Sequence, residues 1–351
     1  MTAAAERVRE AAQVDLLVPH GSKREADMRP VAVLFPLLLI HGSLPHPAST
    51  PPQPTRPPVI DVHLHALGAD ALRNFGLNPI THAAPPGSVE ENVRRTLAEM
   101  QKHNVVLGIV GGGTAGCHDN CEEEVAQFLA AAPQRVWGSA AFGRPGLSVD
   151  SLRAQHSAGK IAALGEVLAQ YEGLSPSDSA FEPYWHLAEE LDIPVGVHTG
   201  ISFPGITQRA APMGAPNFRV ALGNPILFEG MLNRHPKLRI YLMHAGHPFL
   251  AETIGILSVY PEVYVDIAVI DWIQPREEFY TYLKALIRAG FEDRIMFGSD
   301  QMVWPDAMGL AIDAIESAEF LTEQQKRDIF YNNAARFLRL SPEQIRRHHG
   351  R

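Results

Sequence analysis

Apolar runs alternate with amphipathic stretches along the chain from residue 59 onward. Several of the runs are almost continuously hydrophobic, which is typical of parallel strands covered on both faces. We predict eight strands, at Val59–His65, Val105–Val110, Val136–Phe142, Ile161–Val167, Pro194–Thr199, Leu238–His244, Val263–Ile267 and Arg294–Asp300. The amphipathic stretches between them predict helices at Val89–His103, Glu122–Ala131, Phe181–Leu191, Ile226–His235, Phe249–Val259 and Glu277–Ala289.

Eight repeats of a strand followed by a helix predict an α/β fold of the (β/α)8 type, the TIM barrel. Two further stretches, Asp306–Glu319 and Glu323–Leu338, would be extra C-terminal helices. A doubly wound open sheet is the alternative, but such a sheet more often has a Gly-rich turn after its first strand. Here the first strand ends in histidines.

The first 58 residues do not follow this pattern. Residues 1–27 lack a clear apolar period, and we interpret them as a non-native or disordered extension. A positive region after Met28, the apolar run Val31–Ile40 and small residues near Ala48 predict a signal peptide over residues 28–48. A disordered apolar tail is the alternative. We therefore expect export to the periplasm or the medium if translation starts at Met28, and a cytoplasmic location otherwise.

The remaining domain boundaries follow from composition. Residues 49–58 are rich in proline and predict a stiff linker. Residues 59–340 would form the barrel, and residues 341–351 a basic tail.

Composition limits the partners of the protein. Of its 351 residues 46% are hydrophobic, which is enough for a large core, and the net charge of −9 argues against a general nucleic-acid groove. The apolar run before the linker is too short for a transmembrane anchor. We expect a small-molecule substrate; a homodimer is compatible with the sequence, which does not fix the oligomeric state.

Two short motifs predict a metal site. His63 and His65 are two residues apart on the first predicted strand, so their imidazoles point to the same face. Asp300 ends the last predicted strand, where no structural requirement explains an acid. Imidazole nitrogens and carboxylate oxygens are ligands for a divalent metal. We expect Zn²⁺, as one or two ions.

Three more strand ends carry polar residues, namely Glu166, His198 and His244. Because barrel enzymes place their chemistry at the carboxyl ends of strands, we predict all three as metal ligands. Glu166 would bridge two metals or, alternatively, bond to a ligand histidine. His198 could instead be a satisfied core histidine. His247 is a candidate substrate contact or only a loop histidine.

The motifs resemble the amidohydrolase superfamily, and within it the branch around aminocarboxymuconate-semialdehyde decarboxylase. The resemblance covers residues 59–340 and rests on Ile60–His65, His198-Thr-Gly, Met243–Gly246, Ile295–Asp300 and Phe330–Ala335. It implies that His63, His65, His198 and Asp300 hold zinc and that His244 acts on the metal-activated water. The segment Gly165–Val167 is similar instead to TatD-type and phosphotriesterase-related members, in which a strand-four glutamate bridges two metals.

The chemistry expected of such a site is hydrolysis of an amide, lactone or ester of a small molecule. Asp300 would move the proton, and His244 or a second metal ion would polarise the substrate oxygen. Non-oxidative decarboxylation and phosphoester hydrolysis are alternatives on the same barrel, and a non-catalytic metal-binding module is a third.

Substrate contacts are expected on the long loop His198–Asn224 and after the last strand. Arg209, Arg219, Trp272 and Trp304 are the candidates, because an arginine there could clamp a carboxylate. Alternatively, these side chains only pack the loops.

Cys117 and Cys121 are four residues apart. A disulfide is conceivable in an exported protein if this segment is a loop, and free thiols are the alternative.

Overall fold

Eight parallel strands pair in chain order and form one sheet in the computed structural model. The structure describes residues 56–112, 121–208 and 214–350. The strands are β1 Val59–Ala66, β2 Val105–Gly112, β3 Val136–Phe142, β4 Ala163–Val167, β5 Val195–His198, β6 Ile240–Met243, β7 Val263–Asp266 and β8 Ile295–Met296.

Backbone hydrogen bonds join the last strand to the first. The Val62 amide donates to the carbonyl of Phe297 (3.1 Å), and the Asp300 amide donates to the carbonyl of His63 (2.9 Å). These bonds complete a ring of strands, so the prediction of a (β/α)8 TIM barrel is confirmed.

Helices connect the strands and follow the last of them. They are α1 Ala69–Asn74, α2 Val89–Lys102, α3 Cys121–Ala131, α4 Val149–Ser157, α5 Glu182–Leu191, α6 Glu229–Arg234, α7 Leu250–Val259, α8 Ile270–Ile273, α9 Arg276–Arg288, α10 Ala307–Glu316, α11 Glu323–Arg327, α12 Asn333–Phe337 and α13 Pro342–His348. A π-helical turn over Asp328–Asn332 lies between α11 and α12. None of the helices in the described residues is long and apolar enough to cross a membrane.

Local sequence explains where these helices begin. The Ser88 hydroxyl accepts a hydrogen bond from the Glu91 amide at the start of α2, whose buried face includes Val93 and Met100. The segment predicted as a basic tail contains helix α13. Ser341 and Gln344 form a capping box at its start, and Pro342 occupies its first turn.

Several predicted strands end earlier than the apolar runs suggest. Strands β6 and β8 end before His244 and Asp300, whose φ angles are 61° and 42°. Left-handed backbone conformations interrupt strand geometry and, outside glycine, concentrate at functional sites. The ends of these two runs therefore belong to the site rather than to the sheet.

The barrel interior is filled by side chains that need small neighbours. Tyr241 is 2% exposed, and its hydroxyl donates to the carbonyl of Val62 (3.1 Å). A Cβ at Gly196 would lie 2.5 Å from the Tyr241 ring, so only glycine at this position of β5 leaves space for the tyrosine.

The predicted extension over residues 1–27 and the predicted signal peptide lie outside the described residues, as does the linker up to residue 55. Cys117 and the side chain of Cys121 also lie outside them.

Candidate metal centre

Six polar side chains from five strand ends meet at the carboxyl-terminal end of the barrel. All of them are buried, with at most 7% of each residue exposed. They are the residues predicted from the sequence as metal ligands: His63, His65, Glu166, His198, His244 and Asp300.

The first group of possible ligand atoms is formed by His63, His65 and Asp300. Asp300 Oδ1 lies 2.9 Å from His65 Nε2 and 4.0 Å from His63 Nε2. Among the described residues, His63 Nε2 and Asp300 Oδ1 make no hydrogen bond, although both atoms are buried. Buried polar atoms without partners are costly, and a divalent ion would satisfy both of these.

The second group comprises His63, Glu166 and His244. Glu166 Oε2 lies 3.9 Å from His63 Nε2, and Glu166 Oε1 lies 3.5 Å from His244 Nε2. Both groups include His63, whose ring offers a single nitrogen to the centre because Nδ1 faces Asp266. The two groups therefore share His63.

His198 has a different environment. Its Nδ1 lies 2.5 Å from Glu166 Oε1, and its Nε2 lies 3.3 Å from the carbonyl oxygen of Ile201. This is the arrangement of a histidine bonded to a buried acid, and its role as a ligand stays a prediction. The bridging role of Glu166 stays a prediction as well.

Electrostatics keep the two acids of the centre ionised. Burial would raise the pKa of Asp300, but the imidazoles of His63 and His65 outweigh it and lower the pKa to about 2. Burial likewise opposes ionisation of Glu166, yet the charge and hydrogen bond of His198 hold its pKa well below the ordinary value. Two carboxylates therefore face the imidazoles, a donor set that fits a divalent cation.

Asp266 was missing from the predicted site. Its Oδ2 lies 3.0 Å from His63 Nδ1, and its Oδ1 accepts bonds from the amides of His244 (2.7 Å) and Ala268 (3.1 Å). A carboxylate behind a histidine fixes the ring so that the opposite nitrogen faces the metal. Because Asp266 is the last residue of β7, the strand-end rule applied to the other ligands would have found it.

Two other residues hold the backbone around His63 and His65 in place. Asp61 accepts bonds from the amides of His63 and Ser299, both at 3.0 Å. Gln301 bonds to the amide (3.0 Å) and the carbonyl (2.8 Å) of His65. Their side chains link β1 to the segment after β8, on which Asp300 lies.

Replacement of Asp266 by asparagine tests whether this carboxylate supports metal binding through His63. The amide would hold His63 less firmly and lower the basicity of its Nε2, so we expect affinity for Zn²⁺ to fall about 10–100-fold. Competition with a fluorescent chelator measures the change. Asp293→Asn, in the helical turn directly before β8, is the control. Equal affinities of the two variants for Zn²⁺ would contradict the role of Asp266.

Asp271, on α8, is a buried acid without a partner. Both of its carboxylate oxygens are buried and make no hydrogen bond among the described residues. Burial, together with the charges of Asp61 and Asp266, raises its pKa well above the ordinary value. In the folded protein it thus keeps its proton at pH values where the unfolded chain has lost it. Its contribution to stability therefore falls as pH rises from 3.8 toward the folded pKa.

We expect Asp271→Asn to increase the free energy of unfolding of the metal-free protein by about 1–3 kcal/mol at pH 8, because the amide cannot ionise. The gain should shrink at pH 5. Urea denaturation at both pH values measures it, and a gain independent of pH would show that ionisation of Asp271 is not the cause.

A cavity of about 790 Å³ opens above the centre. Glu166, His198, His244 and Asp300 line it, whereas His63 and His65 are not among its lining residues. A cavity of this size accommodates a small organic molecule.

The predicted substrate residues are distributed unevenly. His247, Trp272 and Trp304 line the cavity. Arg219 is not among the lining residues; its guanidinium donates to the carbonyls of Pro216 and Phe218. Arg209 lies outside the described residues.

Solved structures of similar fold include enzymes with two chemistries. A dihydroxybenzoic acid decarboxylase from Polaromonas sp. JS666, with bound manganese, is 16% identical with a TM-score of 0.59 and covers 83% of this chain and 99% of that chain. A probable 2-pyrone-4,6-dicarboxylic acid hydrolase from Acinetobacter baumannii is 15% identical with a TM-score of 0.58 and covers 80% and 99%. The 2,6-dihydroxybenzoate decarboxylase from Rhizobium is 16% identical with a TM-score of 0.56 and covers 81% and 99%. At these identities the likeness shows the shared fold.

Sequence comparison gives the family. Protein fluG of Emericella nidulans is 20% identical in an alignment of 165 residues that covers 43% of this chain and 18% of that protein. The chain thus spans less than a fifth of that relative's length. The family model described as amidohydrolase matches residues 60–340, nearly the whole barrel. The resemblance drawn from the sequence motifs is confirmed, and the chain belongs to the amidohydrolase family of enzymes.

Proposed function

We propose that the protein is a divalent-metal-dependent hydrolase that cleaves an ester, lactone or amide bond of a small organic molecule. The observation that carries this proposal is that His63 Nε2 and Asp300 Oδ1 are buried beneath a large cavity and make no hydrogen bond within the described residues. Family membership supports an enzyme, and the donor set supports a metal.

His63, His65 and Asp300 would hold the ion, with Glu166 and His244 beside it. We propose Zn²⁺, which imidazole and carboxylate ligands suit. We propose one ion per chain, because both ligand groups depend on His63. When bound, the ion would supply the Lewis acidity that makes water a nucleophile near neutral pH.

Asp300 would move the proton in this reaction. Its Oδ1 faces His63 and His65, which leaves Oδ2 for the proton that departs from the attacking water. As a strong acid in the folded protein it is ionised before the reaction, and it would release that proton to the leaving group.

His244 would polarise the substrate. Its Nδ1 lies 3.0 Å from the carbonyl oxygen of Ala268, which fixes the ring, and the residue lines the cavity. Burial opposes protonation, but the hydrogen bond with Glu166 raises the pKa of His244. The protonated ring would donate from Nε2 to a carbonyl oxygen and stabilise the charge that develops on it.

Decarboxylation is the second candidate, because two of the similar structures are named as decarboxylases. It would place a substrate carboxylate at the metal end of the cavity. Phosphoester hydrolysis would be favoured by a second ion.

A substrate panel on the zinc-loaded protein separates these chemistries. Phenyl acetate, dihydrocoumarin and acetanilide test the three hydrolyses by acid or product release. 2,6-Dihydroxybenzoate tests decarboxylation by release of carbon dioxide, and bis(4-nitrophenyl) phosphate tests phosphodiester cleavage. Hydrolysis of the ester, the lactone or the amide is the expected result. Release of carbon dioxide without any hydrolysis would replace the proposal with decarboxylation.

A further inference from the structure

One wall of the cavity is a row of four aromatic rings, Phe203, Phe75, Trp304 and Trp272, here called the aromatic wall. Neighbouring centroids along the row are 6.4, 5.7 and 6.4 Å apart, each pair edge to face. Edge-to-face packing stabilises each ring against the next. The wall is therefore a preformed apolar surface beside the metal centre.

The polar atoms of the aromatic residues are already used. Trp272 Nε1 donates to the carbonyl of Ser299 (2.8 Å), and Trp304 Nε1 donates to the carbonyl of Gly76 (3.1 Å). Across the cavity, the Tyr171 hydroxyl donates to Ser202 Oγ (2.9 Å). These groups bond to the protein itself, so they offer a ligand ring surface rather than hydrogen bonds.

The mouth of the cavity is apolar as well. Leu77, Ile201 and Ile273 line it, and they are 58%, 37% and 36% exposed. Exposed aliphatic side chains around an opening mark a binding site for an apolar partner. Here the cavity behind them makes that partner a small molecule.

Charge in the cavity comes from acids. Glu166 and Asp300 line it, and no Lys or Arg is among its lining residues within the described parts of the chain. One divalent ion would balance these two carboxylates, and the protonated His244 of the proposed mechanism lies beside them at the metal end of the cavity. A negative charge on the part of a substrate remote from the metal would then meet no cationic side chain among these residues. Its polar contacts would be limited to groups such as Gln208, Gln274 and His247, and removal of the charge from water without an ionic partner is costly.

We infer that the substrate is an uncharged molecule with a flat, aromatic body, whose reacting carbonyl lies at the metal centre and whose ring packs on the aromatic wall. This rests on the proposed hydrolase function and narrows it. A substrate with a remote carboxylate is excluded, in contrast to the dicarboxylic acid named for one of the similar structures.

Two hydroxamates test the inference without turnover. 4-Nitrobenzohydroxamic acid and 4-carboxybenzohydroxamic acid share the zinc-binding group, and their remote substituents have the same shape but differ by one negative charge. Isothermal titration with the zinc-loaded protein gives both dissociation constants. We expect the nitro compound to bind about tenfold or more tightly, because the carboxylate loses hydration without gaining a partner.

Two pairs of variants locate the effect. Ile273→Lys adds a cation at the mouth of the cavity. It should reduce the ratio of the two dissociation constants, carboxy over nitro compound, about three- to tenfold, whereas Val259→Lys, outside the cavity, should leave that ratio unchanged. Phe203→Ala should weaken binding of the nitro compound about three- to tenfold. Phe320 packs on Tyr280 outside the cavity, so Phe320→Ala should leave that binding unchanged. Arg209→Ala should leave the preference unchanged.

The contrary outcomes are distinct. Equal or tighter binding of the carboxy compound overturns the inference. A change in the preference for the nitro compound in Arg209→Ala also overturns it, and so does an equal change in the two lysine variants. If the protein takes up no Zn²⁺ and neither hydroxamate binds, the proposed function fails together with the inference. If the protein holds Zn²⁺ but neither hydroxamate binds, only the inference fails. If both bind with reversed preference, only the inference fails.

Discussion

Asp300→Asn should leave the barrel folded and reduce kcat/KM of the zinc-loaded protein by about 10²–10⁴-fold, the usual loss when a proton-transfer group is removed. Asparagine keeps the size of the side chain and an oxygen that can face His65. It cannot accept a proton, however, and it removes one negative charge from the centre. Steady-state hydrolysis of the substrate found in the panel measures the loss.

Asp306→Asn is the matched control, because Asp306 follows on the same segment and bonds to Thr81 outside the cavity. Circular dichroism and thermal unfolding of both variants separate chemistry from folding. Turnover of Asp300→Asn within about threefold of wild type would remove Asp300 from proton transfer.

Removal of the divalent ion should lower activity by about 10³-fold or more, since a Lewis acid supplies several kcal/mol of transition-state stabilisation. The metal-free protein should remain folded, because the side chains of the centre have protein partners such as Asp266 for His63 and Glu166 for His198. Dialysis against a chelator, assay, and reconstitution with Zn²⁺ or Mn²⁺ give the result.

Elemental analysis after reconstitution should find one equivalent per chain, in wild type and in Glu166→Gln. Two equivalents in wild type and one in the variant would instead establish Glu166 as a bridge. Full activity after exhaustive removal of metal would refute the metal-dependent mechanism.

The barrel was predictable because its strands are buried on both faces, which leaves nearly unbroken apolar runs in the sequence. Most boundaries agree within a few residues, as for α2, predicted as Val89–His103 and observed as Val89–Lys102. Helix α4, Val149–Ser157, was missed. Only one of its residues, Leu152, is buried, so it carries no strong apolar period.

The six clustered residues were predictable from their positions at strand ends. The sequence could not show which side chain forms a hydrogen bond with each of these residues. Asp266 lies 203 positions from the histidine that it orients, and Gln301 lies 236 positions from His65. Such pairs are set by the order of strands around the ring, which no local pattern encodes.

The substrate side was the least predictable part. The sequence favoured arginines as carboxylate clamps, but the structure does not bring Arg219 to the cavity. Phe75 and Phe203 were not predicted as substrate contacts. In the sequence, an aromatic residue that packs a loop cannot be distinguished from one that faces a ligand. Phe75 contacts both Phe203 and Trp304, and Trp304 lies more than 200 positions away in the sequence, so these contacts arise only in the tertiary structure.

The metal centre and the aromatic wall come from different parts of the architecture. The ligand candidates lie at strand ends. In contrast, the four rings Phe75, Phe203, Trp272 and Trp304 belong to four separate segments, which lie before α2, α6, α9 and α10. Selection can therefore exchange one connection at a time and alter which compounds are accepted, while the chemistry beneath is inherited unchanged. For the protein engineer the same division means that libraries confined to these four segments should diversify specificity at little cost in folding.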